Sequence, residues 1–483
     1  MSALVNDSNR KWWTLGAVAF ALFMIMLDNT VVNVALPAIQ ADLGIDVAEL
    51  EWIVTGYALS FAVLMLSGGK LADMFGRRRI FIVGLVIFTL SSFACGFAGS
   101  AEVLIGARVI QGIGAAFMMP ATLSLISAAF PPQQRGTALG IWAGVSAVAL
   151  AIGPLIGGLI TEHVNWNWIF YVNIPVGILA ILAGLVIIRE SKDTSKEQRL
   201  DIPGLLAAGV GMLALVYALI EGNRLGWGST TIIALFAVSA VALVVFVILE
   251  AVQRVPMFDL GLFRNSTFVG ANVCALLLMV AMFGVFFFLS LYMQTILGYT
   301  AIQAGASFLP MTCLVIVVAP IAGRLSDRIG PRWLMTGGMT LTAISLFIFS
   351  TLDATSNFWS FLPGTILGGI GMASTMSPMT AAALGSVPVD KAGVGSGMLN
   401  TFRQVGVSIG IALMGAIFAS QETTAIAAGA GPVDAFLAGL NPAFRIAAII
   451  ALAGAAIAAL TVRRLPHHQG PRGASAESVS IAA

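Results

Sequence analysis

Asp28 stands inside the apolar stretch TLGAVAFALFMIMLDNTVVNVALP, which ends at Pro37, and of the 22 acidic residues it is the one the sequence puts deep in such a run. A carboxylate at the centre of a hydrocarbon layer costs roughly 2.5–3.5 kcal/mol on insertion scales, and desolvation disfavours the charged form. The chemistry open to it is uptake and release of a proton. The competing reading is a permanently hydrogen-bonded structural Asp, with Asn29, Thr30 and Asn33 as polar neighbours on either view.

Arg108, in the run VLIGARVIQGIGAA, is the candidate partner. A buried guanidinium demands a counter-group, and Arg108, in a run of opposite direction, reaches the same depth as Asp28. The alternative is that it snorkels to the interface or bonds backbone carbonyls. Gln111, one turn on, can share either role. Arg403 is a second deep cation with no acid at matching depth, which points to a structural or gating role. Metal and redox chemistry are not indicated. Cys95, Cys274 and Cys313 lack ligand spacing and read as small core residues, and His163, His467 and His468 lie in a loop and the polar C-terminal tail. No Gly-x-x-x-x-Gly-Lys-[Ser/Thr] loop is present either. The expectation is no enzyme activity, no metal and no cofactor, so that any active transport draws on an ion gradient.

The elements that must position these residues are membrane helices. Hydrophobic residues make up 59% of the chain and charged ones 10%, with a mean hydropathy of +0.97, whereas a soluble domain is about 25% charged. A hydrocarbon core of about 30 Å needs roughly 20 apolar residues per helix. That length places fourteen spans near 13–36, 51–71, 80–99, 103–129, 138–161, 168–188, 203–221, 230–250, 268–295, 303–325, 333–352, 359–385, 394–420 and 443–462. Of the 24 Lys and Arg, all but Arg108, Arg224, Arg403 and Arg445 fall in alternate gaps between these spans. The bias sets those gaps, and both termini, in the cytoplasm. Trp12, Trp13, Trp52, Trp166, Trp168, Trp227, Trp333 and Trp359 mark span ends, as an interfacial belt requires. The first run is too long for a signal-peptide core and reads as retained. The net charge of +2 carries no nucleic-acid signal, and the expected location is the plasma membrane.

A repeat organises the spans. GKLADMFGRRR (Gly69–Arg79) follows span 2 and GRLSDRIGPRW (Gly323–Trp333) follows span 10, both in basic gaps and both reading Gly-x-Leu-x-Asp-x-x-Gly-x-Arg. Internal repeats are a transporter signature, because alternating access rocks one repeat against another about a midplane site. An offset of eight spans gives parallel halves of six with two helices between them. The expected division is residues 1–190 and 261–465 as six-helix bundles, 191–260 as an inserted pair, and 466–483 as a polar tail. Glu221 and Glu250 fall at the ends of the inserted spans, where water or headgroups would solvate them. Asp73 is expected to face the positive N-terminus of span 13 and latch the halves at the basic side, and Asp327 to do the same for span 5. In span 5, Gly153, Pro154, Gly157 and Gly158 read as a smooth, bent interface helix.

At this point the chain resembles the major facilitator superfamily, in its fourteen-span drug:proton antiporter branch. The motifs run in the family's order: LDNTVVNVALP, the Gly69–Arg79 loop, RVIQGIGAA, GVSAVALAIGPLIGG, WIFYVNIPVG and NTFRQVGVSIG. The resemblance implies an all-α polytopic fold arranged 6 + 2 + 6. It also implies that Arg108 tunes protonation of Asp28, that Arg77 pairs with Asp73, and that the GPLIGG stretch is an antiporter motif. The function it implies is proton-coupled export of hydrophobic small molecules. Candidate substrate contacts are Asn33, Gln111, Met118, Phe283, Tyr292, Met376 and Arg403. Expected partners are a lipophilic small molecule, protons and membrane lipids, with the monomer as the working unit. A lipid flippase of the same fold is the main rival; a solute symporter should lack the GPLIGG pattern, and a transport-dead receptor would have no need of Asp28 with Arg108.

Overall fold

Apolar runs of this length satisfy their backbone groups in a bilayer only as helices, and helices are what form. The structure, a computed structural model, describes residues 6, 9–192, 201–253, 256, 258–388 and 392–463, and no strand occurs among them. The tail beyond 463, with His467 and His468, lies outside the described residues, as do the side chains of Asp327 and of several residues in the first half of the fifth span.

The first half comprises α1 (Arg10–Leu43), α2 (Val47–Phe75), α3 (Arg77–Gly96), α4 (Ala101–Ala129), α5 (Pro132–His163), and a sixth span broken into α6 (Trp168–Tyr171) and α7 (Asn173–Ile187). The inserted pair is α8 (Ile202–Leu225) and α9 (Thr230–Val252). The second half comprises α10 (Ser266–Leu291), a span made of α11 (Ala301–Ser307) and α12 (Leu309–Ile329), then α13 (Pro331–Phe349), α14 (Phe358–Gly385), α15 (Ala392–Ala427) and α16 (Pro432–Thr461). Thirteen spans among the described residues are long and apolar enough to cross a membrane by composition. The fourteenth, α14, is rich in Gly, Ser, Thr and Pro for a packing reason. Cβ atoms at Gly371 and Gly369 would lie 2.6 Å from Thr342 Oγ1 and 2.5 Å from the Met311 carbonyl, so α14 is wedged between α12 and α13.

Helix ends follow caps rather than hydropathy, and several run past the apolar limits read from sequence. Helix α1 continues through Pro37 to Leu43, where Gly44 turns the chain left-handed at φ 65°. Asp46 and Glu49 then start α2 with a reciprocal capping box. Likewise α15 extends to Ala427 and α16 begins at Pro432.

The cores show how the halves meet. At the face opposite the basic loops, one continuous apolar cluster joins Leu36, Trp166 and Phe170 of the first half to Phe287, Tyr292 and Phe349 of the second. Toward the basic face it divides into one cluster within the first half, around Phe81, Phe88 and Met118, and another within the second, around Phe268, Met335 and Met379. The halves are therefore sealed together at the opposite face, whereas toward the basic face each keeps its own apolar cluster and they meet along α2 and α15, where a Cβ at Gly397 would lie 2.8 Å from Leu66 Cδ2. Helix α8 packs Met212, Val216 and Ile220 over Leu59 of α2 and Ala412 of α15, and α9 turns Val241, Val244 and Ile248 outward. One expectation fails here: Glu221 and Glu250 are buried, at 6% and 2% exposure. Glu250 folds back to accept a hydrogen bond from Phe258 N at 3.0 Å, and α8 is pressed against the bundle seam, so solvent does not reach either carboxyl freely.

Candidate functional site

Five helices of the first half converge on Asp28, which is fully buried, as is Arg108 at 1% exposure. Arg108 Nη1 lies 2.5 Å from Asp28 Oδ2. Gln111 Nε2 and Asn173 Nδ2 donate to Asp28 Oδ1 at 3.1 and 3.3 Å. All three partners are donors, so the geometry is that of a carboxylate anion in a buried, charge-assisted pair. Arg108 is held on its other sides as well. Its Nε donates to the Ile53 carbonyl at 3.2 Å, Nη1 reaches Gln111 Oε1 at 2.6 Å, and the guanidinium lies 4.2 Å from the Tyr57 ring centroid. Ser92 closes the network, accepting from Gln111 and Asn173 at 3.0 and 2.9 Å and donating to the Phe170 carbonyl.

Sequence reasoning brought Asp28, Arg108 and Gln111 to the same depth but missed Asn173, Ser92 and Tyr57. Asn173 was visible in WIFYVNIPVG; nothing in the sequence says that the break between α6 and α7 aims it at α1. Gln111 belongs to this network and not to a substrate surface.

The central cavity lies on the other side of α1. Thr30 and Asn33 line it together with Pro154 of α5, Phe283 and Phe286 of α10, and Met372 of α14. At about 100° per residue, Thr30 and Asn33 sit roughly 140–160° round the helix from Asp28. The cavity measures about 50 Å³, far below the roughly 300–1,000 Å³ of drug-sized sites, so a ligand of that size requires it to widen. Of the expected substrate contacts, Asn33 and Phe283 line this cavity. Met118 does not: it packs under Gly84, where a Cβ would lie 2.8 Å from Met118 Cγ. Tyr292 does not either, because its hydroxyl donates to the Asp353 carbonyl at 2.6 Å in a turn at the sealed face. Met376 bridges two apolar clusters, and Arg403 donates to Thr380 Oγ1 at 2.7 Å and Asn400 Oδ1 at 3.4 Å.

The span 5 residues sit at the junction of the halves. A Cβ at Gly153 would collide with Thr30 Oγ1, one at Gly157 would come within 2.8 Å of the Val31 carbonyl, and one at Gly158 would strike the Ala301 carbonyl of the other half. The Pro154 carbonyl abuts Gly305 in the same way. At the basic face, Arg77 Nε donates to Asp73 Oδ1 at 3.0 Å. Beside them Glu190, unforeseen from sequence, accepts from Arg78 N and Arg79 N at 3.1 and 3.3 Å and so caps α3.

This is the arrangement of a membrane transporter: two helical halves about a central cavity, with a buried ion pair in one of them. The chain belongs to the Major Facilitator Superfamily, which it matches over residues 18–411 and 271–482. It is 34% identical to the tetracenomycin C resistance and export protein of Streptomyces glaucescens, covering 96% of this chain and 94% of that one. It is 38% identical to the multidrug resistance protein Stp of Mycobacterium tuberculosis over 84% of this chain and 76% of that one. Its identity to the riboflavin transporter RibZ of Clostridioides difficile is 31%, covering 94% and 98%. In fold it is similar to an inward-facing bacterial homologue of the human lysosomal transporter Spinster, with a TM-score of 0.67 at 18% identity over 94% and 98% of the two chains. The protein is a transporter and not an enzyme.

Proposed function

We propose that this protein exports lipophilic small molecules across the plasma membrane in exchange for protons, by alternating access, with its basic face in the cytoplasm. The observation that carries the reading is the Asp28–Arg108 pair, buried on the face of α1 turned away from the cavity. Protonating Asp28 abolishes the charge that holds Arg108, Gln111 and Asn173 in place, so it loosens α1 from α4 and α7. The opposite face of α1 carries Thr30, against which Gly153 of α5 packs, and Gly157 packs on the backbone of Val31 beside it. A shift of α1 is therefore felt both in the cavity lining and at the α5–α11 contact that seals the halves. The cavity's Phe283, Phe286 and Phe308 rings, with Thr30, Asn33 and Thr312 as hydrogen-bonding groups, suit an apolar, ring-containing solute with few polar groups. The named resistance and export relatives support outward drug transport.

The test is transport in proteoliposomes with an imposed proton gradient, using lipophilic antibiotics, riboflavin and fluorescent phospholipids in parallel. Gradient-driven drug movement that Asp28→Asn abolishes, with normal insertion, is the expected result. Full gradient-driven movement by the Asn variant removes the proton assignment, and movement of phospholipid alone makes the protein a flippase.

A further inference from the structure

The seam between α2 and α15 holds a carboxyl that the reading above does not use. Glu51, in the second turn of α2 near the sealed face, is 3% exposed. A Cβ at Gly415 of α15 would collide with its carboxyl oxygens, so α15 closes over Glu51 only because residue 415 is glycine. The other groups about it offer no compensation. Asp46, in the turn before α2, and Glu221, on α8, are the charges that act on it, both of its own sign. Arg224 of α8 is committed to Glu221 at 2.7 Å, Glu49 caps its own helix by accepting from Asp46 N, and Arg108 of α4 is turned to Asp28. Helix α15 presents Gly415 between the apolar Ala412 and Ala416. Among the described residues no cation or hydrogen-bond donor reaches the Glu51 carboxyl.

A buried, unpaired carboxylate beside two like charges is strongly disfavoured, whereas the neutral acid is tolerated. We propose that Glu51 is a second proton-binding site, one that must be filled before α2 and α15 can close at the face opposite the basic loops. The proton comes from water on that face while the seam is open, and returns there when Glu51 is next exposed. The sealed state then binds more protons than the open one. Raising the pH above the ordinary carboxylate range, about 4.3, therefore favours opening, by up to about tenfold per pH unit for a single group. Glu51 would thus bar the halves from resealing on the proton-rich side until a proton has been taken.

The inference rests on alternating access but not on Asp28, and a distance measurement without substrate separates the two. Spin labels at Ala41→Cys and Thr424→Cys, both exposed at this face, in a background with Cys95, Cys274 and Cys313 replaced, report the gap between the halves in nanodiscs. From pH 5 to 8 the short-distance population should fall; Glu51→Gln should hold it at every pH, while Asp28→Asn should retain the Glu51-dependent response. Gly415→Ala should favour the long distance throughout. A Glu51→Gln protein that responds to pH like its parent overturns the proposal. If that variant does not fold, labelling of native Glu51 by a hydrophobic carbodiimide, mapped by mass spectrometry, decides: modification near pH 6.5 is expected, and its absence is equally fatal.

Discussion

Removing both partners of the buried pair should cost clearly less than the sum of removing each alone. In Asp28→Asn, Arg108 stays charged in the bundle, and breaking a buried pair from one side costs about 3–5 kcal/mol. The lower end applies, because Arg108 keeps Gln111 Oε1 at 2.6 Å, the Ile53 carbonyl at 3.2 Å and the Tyr57 ring at 4.2 Å. In Arg108→Gln, Asp28 keeps two amide donors, Gln111 and Asn173, and can take a proton, so the loss is again near 3 kcal/mol. The double variant leaves no uncompensated charge, and its loss should fall short of the sum by about 2 kcal/mol or more, as for residues in one network. Denaturant unfolding of the four proteins in one detergent, followed by intrinsic Trp fluorescence, completes the cycle. All three variants should lack substrate-induced proton release, so recovered stability would come without recovered coupling. Single losses that add to within about 0.5 kcal/mol would show that the two side chains do not act as a buried unit, and the coupling argument would fall with them.

Two further outcomes follow from the packing. Gly158→Val forces a branched side chain into the Ala301 carbonyl; it should cut turnover at least tenfold while leaving substrate binding within about threefold, because sealing and not the cavity is obstructed, and a wild-type turnover number would refute this. Phe283→Ala, at the cavity wall, should change KM differently for different drugs, whereas Met118→Leu, buried under Gly84 and conserving volume, should leave every KM unaltered; equal effects would mean that the cavity has been misplaced.

The division into spans was legible because a bilayer admits few solutions: length, hydropathy and the alternation of Lys and Arg each constrain the same fourteen segments. Helix ends were less so. Caps such as Asp46 with Glu49 are local signals that hydropathy overlooks, and proline at 37 does not stop a helix already satisfied beyond the hydrocarbon. Asp28 and Arg108 were legible because buried charge is rare enough to demand explanation. Asn173 and Ser92 were not, since a small polar residue on a membrane helix looks the same whether it faces a carboxylate or a neighbouring carbonyl. Glu51 was missed for a different reason: it lies near the start of its apolar run, where depth alone implies solvation. What buries it is α8 and α15 closing over the end of α2, a tertiary fact with no trace in span position. The same closure misled the reading of Glu221.

The placement of Asp28 bears on how exchange can work at all. In a carrier where proton and cargo contend for one carboxylate, the cavity must expose that group and the cargo must carry a charge or donor to displace the proton. Here Thr30 and Asn33 face the cavity while Asp28 faces Arg108 on the far side of the same helix, so direct contention is closed off by geometry. In the exchange proposed above, coupling passes through the position of α1, whose two faces are read by different partners: α4 and α7 by charge, α5 by the Gly153 contact with Thr30, which admits no side chain. Cargo chemistry is then free to vary, because nothing in the exchange requires it to bind the proton's residue. A neutral solute should be exported as readily as a cationic one of equal size and apolarity. Comparing such a pair in the same proteoliposomes, with proton release measured alongside, sets this against direct contention, under which only the cation would release protons.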